Sequence, residues 1–260
     1  MKVALVEMTS LPKLNVNLKT IVNSIKISSK NNADMVVFPE NCSCLGPSSI
    51  MLKNAEVETD HPVLCAASLA AKKYGIYVLL GSIAVFRSKA NKNKMQNRSI
   101  LIDRKGKVIA RYNKINMFDA KISDKEVYRE SNRYTPGKNV VVANTEFGKI
   151  GLSICYDLRF PNIYKILSEK GANIITIPSA FTITTGRAHW EILLRARAIE
   201  NSCWILAPAQ VGTHYGKRST WGHSMIVDPW GKIVIENKGD QGIIYGDIDI
   251  NKSEKIKNIF

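Results

Sequence analysis

The fold is decided by one stretch, Lys149-Ile-Gly-Leu-Ser-Ile-Cys-Tyr-Asp-Leu-Arg-Phe-Pro161, in which an apolar run ends at Cys155. A polar segment of helical pattern follows as far as Lys170. A strand that stops at a cysteine and passes straight into a helix places the sulfur at its carboxyl end, where free backbone amides face a ligand. The same turn can supply a donor to an oxyanion. Buried cysteines are more often small core residues, so this stretch alone leaves a nucleophile and a core thiol both open.

The predicted elements occur twice along the chain. Each half is predicted to run strand, helix, strand, helix, strand and hairpin, the first over about residues 1–113 and the second over about 148–236. The strand Ala33-Asp-Met-Val-Val-Phe-Pro39 is matched almost position for position by Ala172-Asn-Ile-Ile-Thr-Ile-Pro178. A hairpin signature, Asp-x-x-Gly-Lys, also occurs once in each half. The chain is therefore interpreted as a duplicated unit.

A sheet that carries helices on one face needs cover for its other face. Two equivalent sheets meet this need by packing face to face with their helices outside. The predicted fold class is α/β, a four-layer α-β-β-α sandwich with an internal pseudo-twofold duplication. Because neither half is complete without the other, one domain is predicted over residues 1–260. The bridge from 111 to 137 is predicted as a helical or loop insert, and 251–260 as a lysine-rich tail.

Composition excludes several classes of protein. The formal charge is +15, but the lysines are spread among asparagines without a basic stripe interleaved with aromatic residues, so nucleic acid is not an expected partner. Steering of small anionic substrates is the milder expectation. The apolar run from Gly75 to Phe86 is too short to cross a bilayer, and Glu7 comes too early for a signal-peptide core. The five scattered cysteines suit a reducing compartment, and a cytoplasmic protein is predicted.

Three residues lie in contexts that favour chemistry. A free thiol has a pKa near ~8.5, so a catalytic Cys155 needs a base and a positive neighbour. Glu40 follows an apolar strand and a proline, where a carboxylate is costly unless it has a partner, although a surface loop acid is the alternative. Lys114 lies in the mostly apolar segment 112–118, whereas the other lysines have solvated surroundings. These three residues form the predicted catalytic set.

The segments around these residues resemble the signature motifs of the nitrilase, or carbon–nitrogen hydrolase, superfamily. The resemblance covers residues 1 to about 250, is closest to the Nit amidases, and implies the duplicated α-β-β-α fold that the repeat indicates. The segments that carry it are Pro39-Glu40, Tyr112-Asn-Lys114 with Met117-Phe-Asp119, Arg129-Glu-Ser131 with Pro136-Gly137, Cys155-Tyr-Asp-Leu-Arg-Phe-Pro161, Pro178-Ser-Ala-Phe-Thr182, Thr185-Gly-Arg-Ala-His-Trp-Glu191, Arg195-Ala-Arg-Ala-Ile-Glu200 and Trp221-Gly-His-Ser224 to Pro229-Trp-Gly231.

This resemblance implies a role for each catalytic candidate. It implies that Glu40 is the general base, Lys114 the electrostatic stabiliser and Cys155 the nucleophile. Glu130 matches a second glutamate of the family pocket, which helps to position the substrate and the catalytic groups.

Further pocket residues follow from the same resemblance. Arg159 and Thr185 match positions that can hold a substrate carboxylate in Nit amidases, although an arginine there could equally pair with a structural acid. The backbone N–H of Tyr156 is the expected oxyanion donor. The four histidines show no ligand spacing, so no metal is expected, and the chemistry needs no cofactor.

The expected reaction converts a primary amide of a small carboxylic acid to the acid and ammonia through a thioester. Around Arg195, Trp221 and Pro229 the chain is more similar to deaminated-glutathione amidases than to ω-amidases of α-keto acids, and both alternatives stay open. A catalytically idle binding member is the hypothesis from another class. A cysteine protease needs a histidine base, which cannot be placed beside Cys155. The expected partners are a small anionic amide and further copies of the chain, as a homodimer or larger assembly.

Overall fold

The computed structural model describes residues 1–124 and 126–259, apart from the side chain of Asn91. The helices are α1 (Leu14–Lys30), α2 (Ser48–Asn54), α3 (Pro62–Tyr74), α4 (Pro161–Glu169), α5 (Ile183–Asn201) and α6 (Ile250–Lys257), with 3₁₀ turns at Glu58–Asp60, Glu130–Asn132 and Cys155–Arg159. The strands are β1 (Lys2–Glu7), β2 (Met35–Val37), β3 (Glu56–Val57), β4 (Tyr77–Ser88), β5 (Asn91–Ile102), β6 (Val108–Asn113), β7 (Asp119–Ser123), β8 (Glu126–Arg129), β9 (Val141–Thr145), β10 (Gly148–Leu152), β11 (Ile174–Thr176), β12 (Trp204–Ala207), β13 (Val211–Tyr215), β14 (Arg218–Trp221), β15 (Met225–Val227), β16 (Ile233–Glu236) and β17 (Gly242–Asp247).

Two large sheets repeat the same strand order. The first runs β17-β1-β2-β4-β5-β6, with β3 beside β4, and the second runs β9-β10-β11-β12-β15-β16. In each sheet three consecutive strands are parallel, and the flanking strands are antiparallel to them. The edge strand β9 precedes the second sheet along the chain, whereas its counterpart β17 comes from the opposite end of the chain. The predicted duplication is confirmed, and β17 extends it beyond residue 236.

Side chains of β1 show how the layers are held together. Val3 and Leu5 point to the second sheet and share a core cluster with Leu152 of β10. Ala4 and Val6, on the opposite face, pack in a second cluster with residues of α1 and α3. The alternation follows from the two-residue period of a strand.

The second sheet is covered in the same way by α4 and α5. Tyr164 and Leu167 of α4 and Leu194 of α5 belong to the cluster that contains the second-sheet strands. Gly151 of β10 lies against Leu167, whose side chain occupies the space that a Cβ would need. The order helix, sheet, sheet, helix confirms the predicted four-layer sandwich.

The bridge between the halves differs from the prediction. The helical or loop interpretation of residues 111–137 was wrong where β6 continues to Asn113 and where the β7–β8 hairpin follows, whereas residues 114–118 and the 3₁₀ turn Glu130–Asn132 agree with it. Asp119 pairs with Arg129 across this hairpin, and alternate side chains are exposed, as a two-stranded ribbon on the surface requires.

Two helix boundaries also differ. The sequence pattern places the start of α5 at Ala188, but the helix begins at Ile183 because the hydroxyl of Thr182 caps it by accepting from the Thr185 N–H. In the predicted tail 251–260, residues up to 257 belong to α6, while residue 260 lies outside the described part of the chain. None of the described helices has the length and apolar character needed to span a membrane.

Candidate active site

Strand ends from both sheets meet at one pocket. Glu40 lies three residues beyond β2, Cys155 three residues beyond β10, and Lys114 directly after β6. All three line the same pocket. Parallel strands place their carboxyl ends at one edge of a sheet, which is why residues so distant in sequence converge.

The turn that carries Glu40 needs a close approach between chain segments. A Cβ atom at Gly81 of β4 would overlap the carbonyl oxygen of Phe38 and lie 2.6 Å from that of Pro39. It would also lie 2.5 Å from the Cβ of Pro178, which follows β11 in the second sheet. A residue without a side chain at position 81 therefore lets the turns beyond β2 and β11 come together.

A buried ammonium group bridges two carboxylates at the floor of the pocket. Lys114 Nζ donates to Glu40 Oε1 at 2.8 Å and to Glu130 Oε2 at 2.8 Å, and its side chain is 1% exposed. Burial opposes the charged ammonium, but the two carboxylates outweigh that effect and raise the pKa of Lys114 well above its usual value. The two carboxylates therefore favour the charged form of the lysine.

Two further donors complete this charged network. Asn97 Nδ2 of β5 donates to Glu40 Oε1 at 3.0 Å and to Glu130 Oε1 at 3.1 Å. The backbone N–H of Phe118 donates to Glu130 Oε2 at 2.6 Å. Sequence reasoning missed Asn97, because the polar run Asn97-Arg-Ser99 gives no sign of which member faces the pocket.

Cys155 occupies a strained turn beside this network. Its φ of 49° is in the left-handed region, which is uncommon for a residue with a side chain, and its N–H donates to Pro178 O at 3.0 Å. Burial first, and then the negative charge of Glu40, raise the pKa of the Cys155 thiol well above its usual value, while Lys114 and a hydrogen bond from the Ala180 N–H act against them. Burial and the Glu40 carboxylate therefore both favour the neutral thiol.

Asp157, two residues after the cysteine, ties its turn to the segment that carries the lysine. This fully buried carboxylate accepts from Tyr112 Oη at 2.7 Å, from the N–H of Asn116 at 2.9 Å and from the N–H of Ile154 at 2.9 Å. It therefore connects both sides of the catalytic set. Sequence reasoning quoted this aspartate within a motif but gave it no role.

The remaining predicted residues line the same pocket. Tyr156 and Arg159 lie on the 3₁₀ turn that begins at Cys155, and Thr185 lies in the first turn of α5. The Arg159 guanidinium contacts His189 Nδ1 at 3.1 Å and lies over the ring of Phe181. Among the described residues no carboxylate oxygen lies within salt-bridge distance of Arg159, so the structural-acid alternative has no partner in this part of the chain.

Arg133 and Arg218 also line the pocket and were missed at the sequence level. Both are half-buried. Arg133 comes shortly after the β7–β8 hairpin and Arg218 lies in the β13–β14 hairpin, so each reaches the site only through the packing of a surface hairpin. Nothing in a lysine- and arginine-rich sequence separates these two cations from the solvated ones.

Comparison with known proteins identifies the family of the chain. The model of the family described as carbon-nitrogen hydrolase matches residues 2–258. The chain belongs to the carbon-nitrogen hydrolase family. Its members hydrolyse carbon–nitrogen bonds other than peptide bonds, and the chain is a hydrolase of this kind acting on a small molecule.

Individual members of the carbon-nitrogen hydrolase family are similar to the chain over most of its length. The chain is 41% identical over 257 residues to the deaminated glutathione amidase of Yersinia enterocolitica, covering 98% of this chain and 89% of the relative. It is 36% identical over 259 residues to the deaminated glutathione amidase of Mus musculus, covering 98% and 80%. Its fold matches the C. elegans NitFhit crystal structure with a TM-score of 0.90 at 34% identity, covering 99% of this chain and 63% of that one.

Proposed function

We propose that this carbon-nitrogen hydrolase is a deaminated glutathione amidase with Glu40, Lys114 and Cys155 as its catalytic residues. The observation that carries the proposal is the convergence of a thiol, a carboxylate and a buried ammonium on one pocket. The substrate is suggested by relatives that are similar over nearly the whole chain and carry that name.

The first chemical step transfers the thiol proton as the carbon–sulfur bond forms. Glu40 accepts the proton from Cys155 while the sulfur attacks the amide carbonyl carbon. The oxygen becomes an oxyanion, which the Lys114 ammonium and the Tyr156 N–H stabilise, and one such donor contributes roughly 3 kcal/mol. The raised thiol pKa suits this order, because the thiolate forms only as attack proceeds.

The second step breaks the carbon–nitrogen bond. Glu40 passes its proton to the leaving nitrogen, the amine departs and a thioester remains on Cys155. Water then attacks the thioester with Glu40 as base again, which releases the acid and restores the thiol. General acid–base transfer of this kind contributes about 10²–10⁴-fold to the rate.

The identity of the leaving group corrects one detail of the expectation from sequence. Glutathione joins the side-chain carboxyl of glutamate to the amine of cysteinylglycine, so the bond cleaved in its deaminated form is an N-substituted amide. The product is then a dipeptide amine and not ammonia, and an assay that detects ammonia would miss the reaction. Ammonia would be released only from a primary amide such as α-ketoglutaramate.

Glu130, Arg159 and Thr185 have supporting roles in the proposal. Glu130 holds the Lys114 ammonium together with Glu40. Arg159 and Thr185 bind the carboxylate of the acyl part of the substrate, and the aromatic rings around Arg159 hold its guanidinium at the pocket wall. Bidentate arginine contacts favour carboxylates in this way.

The preference for deaminated glutathione over ω-amides cannot be explained by the sequence positions that suggested it. Arg195 donates to Gly231 O at 2.9 Å, and Trp221 packs against Gly186 of α5. Neither lines the pocket. These positions support the family relationship, whereas the substrate preference depends on the pocket lining.

The deciding experiment compares two substrates through their common product. Hydrolysis of deaminated glutathione and of α-ketoglutaramate both yield 2-oxoglutarate, which a coupled dehydrogenase measures. We expect kcat/KM to be at least about tenfold higher for deaminated glutathione, equivalent to about 1.4 kcal/mol of transition-state binding. A preference for α-ketoglutaramate would assign an ω-amidase, and a folded protein without turnover on either would favour an idle binding member.

We also propose that residues 1–260 form one domain that assembles as a homodimer or larger through its outer helices. The single domain is supported by β17, which returns from the end of the chain to pair with β1. Assembly is supported by apolar side chains at the surface of α5, where Ile192 is 69% and Ile199 53% exposed, next to Trp230 at 59%. Light scattering of the protein and of an Ile192→Asp variant tests this, because a monomer in both would contradict it.

A further inference from the structure

The pocket carries more positive charge than the catalytic groups need. Among the described residues that line it, four are cationic and two carry carboxylates. The Lys114 ammonium is held between those two carboxylates, Glu40 and Glu130. Three half-buried guanidinium groups are then left without an acidic partner in the described chain, namely Arg133, Arg159 and Arg218.

These three arginines differ in how far their donors are already used. Arg218 donates to Tyr128 Oη at 2.8 Å and to Ala180 O at 3.0 Å, and it lies over the Tyr128 ring. Its donors are therefore used to stabilise the wall of the pocket. The Arg133 guanidinium lies over the Tyr134 ring, and its side-chain hydrogen bonds are two long contacts through Nη1, to Ser48 Oγ at 3.3 Å and to Met51 Sδ at 3.8 Å. An arginine has five N–H donors, so Arg133 keeps most of its donors for a ligand.

Arg133 and Arg159 contact different walls of the pocket. Arg133 directly follows the 3₁₀ turn that begins at Glu130, and it contacts α2, the helix that comes after the Glu40 turn. Arg159 belongs to the turn of Cys155 and contacts α5. Because Glu40 delivers the proton to the leaving nitrogen, the leaving group extends to the side of Glu40 and Arg133.

We propose that the pocket selects amides with a carboxylate on each side of the scissile bond, and that Arg133 is the specificity residue for the carboxylate of the leaving amine. This proposal rests on the proposed amidase function and adds the second anionic pole. Deaminated glutathione has this pattern, since its glycine carboxylate lies on the amine side. A primary ω-amide lacks it.

The test uses two substrates that differ in one group, deaminated glutathione and its glycine carboxamide, with wild type, Arg133→Gln and Arg133→Lys. We expect Arg133→Gln to raise KM for deaminated glutathione about tenfold with little change in kcat, and Arg133→Lys to restore part of the affinity. The carboxamide should have a raised KM in wild type that Arg133→Gln does not change further. Added salt should raise KM more for deaminated glutathione than for its glycine carboxamide, which keeps only the carboxylate on the acyl side.

The control is Arg129→Gln, which removes the same charge from an exposed residue four positions earlier that does not line the pocket. Its kinetics should equal those of wild type. Equal KM values for wild type and Arg133→Gln, in an enzyme that cleaves deaminated glutathione, would overturn the role of Arg133 and leave the proposed function intact. A folded wild type that cleaves neither substrate would overturn both.

Discussion

The two halves of the molecule share a strand register but differ in what they place beyond it. Met35 in β2 and Ile174 in β11 hold equivalent positions in their sheets. Five residues later the first half has Glu40, whose carboxylate accepts hydrogen bonds from an ammonium and an amide in the pocket. The second half has Ser179, whose hydroxyl donates to the carbonyl of Ile177. Equivalent backbone positions thus hold a charged group in one half and a locally satisfied hydroxyl in the other.

The strands that begin each half show the reverse arrangement. Val3 in β1 and Ile150 in β10 are equivalent by the same register, and five residues later come Met8 and Cys155. Met8 is buried in the apolar cluster beneath α1 and α3, whereas Cys155 is turned toward the pocket by a positive φ. The duplication therefore supplies the scaffold twice, but the chemistry is assembled once, from strand ends that are not equivalent.

The largest loss of activity is expected on substitution of Cys155, in contrast to its structural counterpart Met8. We expect Cys155→Ala to lower kcat/KM for deaminated glutathione by roughly 10⁴-fold or more, because no other group can form the thioester. Met8→Leu conserves volume in a buried cluster and should keep the rate within a few fold. Steady-state kinetics on both variants, with circular dichroism as the folding control, checks this. Substantial turnover in Cys155→Ala would remove the sulfur from the mechanism.

Substitution of Glu40 should lower the rate less than loss of Cys155 does, but more than substitution of its counterpart Ser179. Glu40→Gln should reduce kcat by about 10²–10⁴-fold, since the amide cannot take up the thiol proton, while Ser179→Ala should change kcat only slightly. Burial and the Glu40 charge both raise the pKa of Cys155, so removing that charge should lower the pKa. Alkylation of Cys155 by iodoacetamide should then begin at a lower pH in Glu40→Gln than in Ser179→Ala. An unshifted alkylation profile would show that Glu40 does not act on the sulfur.

The parts of the fold that repeat were predictable from sequence, because a duplicated pattern of apolar strands and turns is local information. The strand before Pro39 and its copy before Pro178 lie at equivalent places in the two sheets, as predicted. The β7–β8 hairpin was missed because it is a surface ribbon whose alternate side chains are exposed, so its apolar pattern is weak.

The charged residues of the site divide in the same way. Glu40, Lys114 and Cys155 each stand at the end of an apolar strand or in an apolar segment, so their contexts are visible in sequence. Asn97 and Arg133 become meaningful only through contacts made across 57 and 85 positions, to Glu40 and to Ser48. No local pattern reports such partners.

Each half also buries a histidine, and acid should affect the two alike. His61 is fully buried without a hydrogen-bond partner for its ring in the described chain, whereas His214 is nearly buried and contacts Ser10 O at 2.8 Å and Thr220 Oγ1 at 2.7 Å. Burial lowers the pKa of each to about 4 from the usual 6.5. The folded state then binds fewer protons than the unfolded state between those values, so stability is complete above pH 6.5 and falls as the pH drops toward 4. The loss is about 3 kcal/mol for each histidine.

Leucine at each position should distinguish the two histidines at neutral pH, which is the smallest effect expected here. His61→Leu removes an unpartnered polar ring, so the free energy of unfolding at pH 7 should not fall. His214→Leu leaves the Thr220 hydroxyl and the Ser10 carbonyl buried without their ring partner and should cost about 1–3 kcal/mol at pH 7. Both variants should lose less stability than wild type between pH 7 and 4.5 in urea unfolding. If His61→Leu lost as much stability in acid as wild type, the pKa of the His61 ring in the folded protein would not be lowered, because the ring would be hydrogen-bonded to solvent. The two halves would then tolerate a buried imidazole for different reasons.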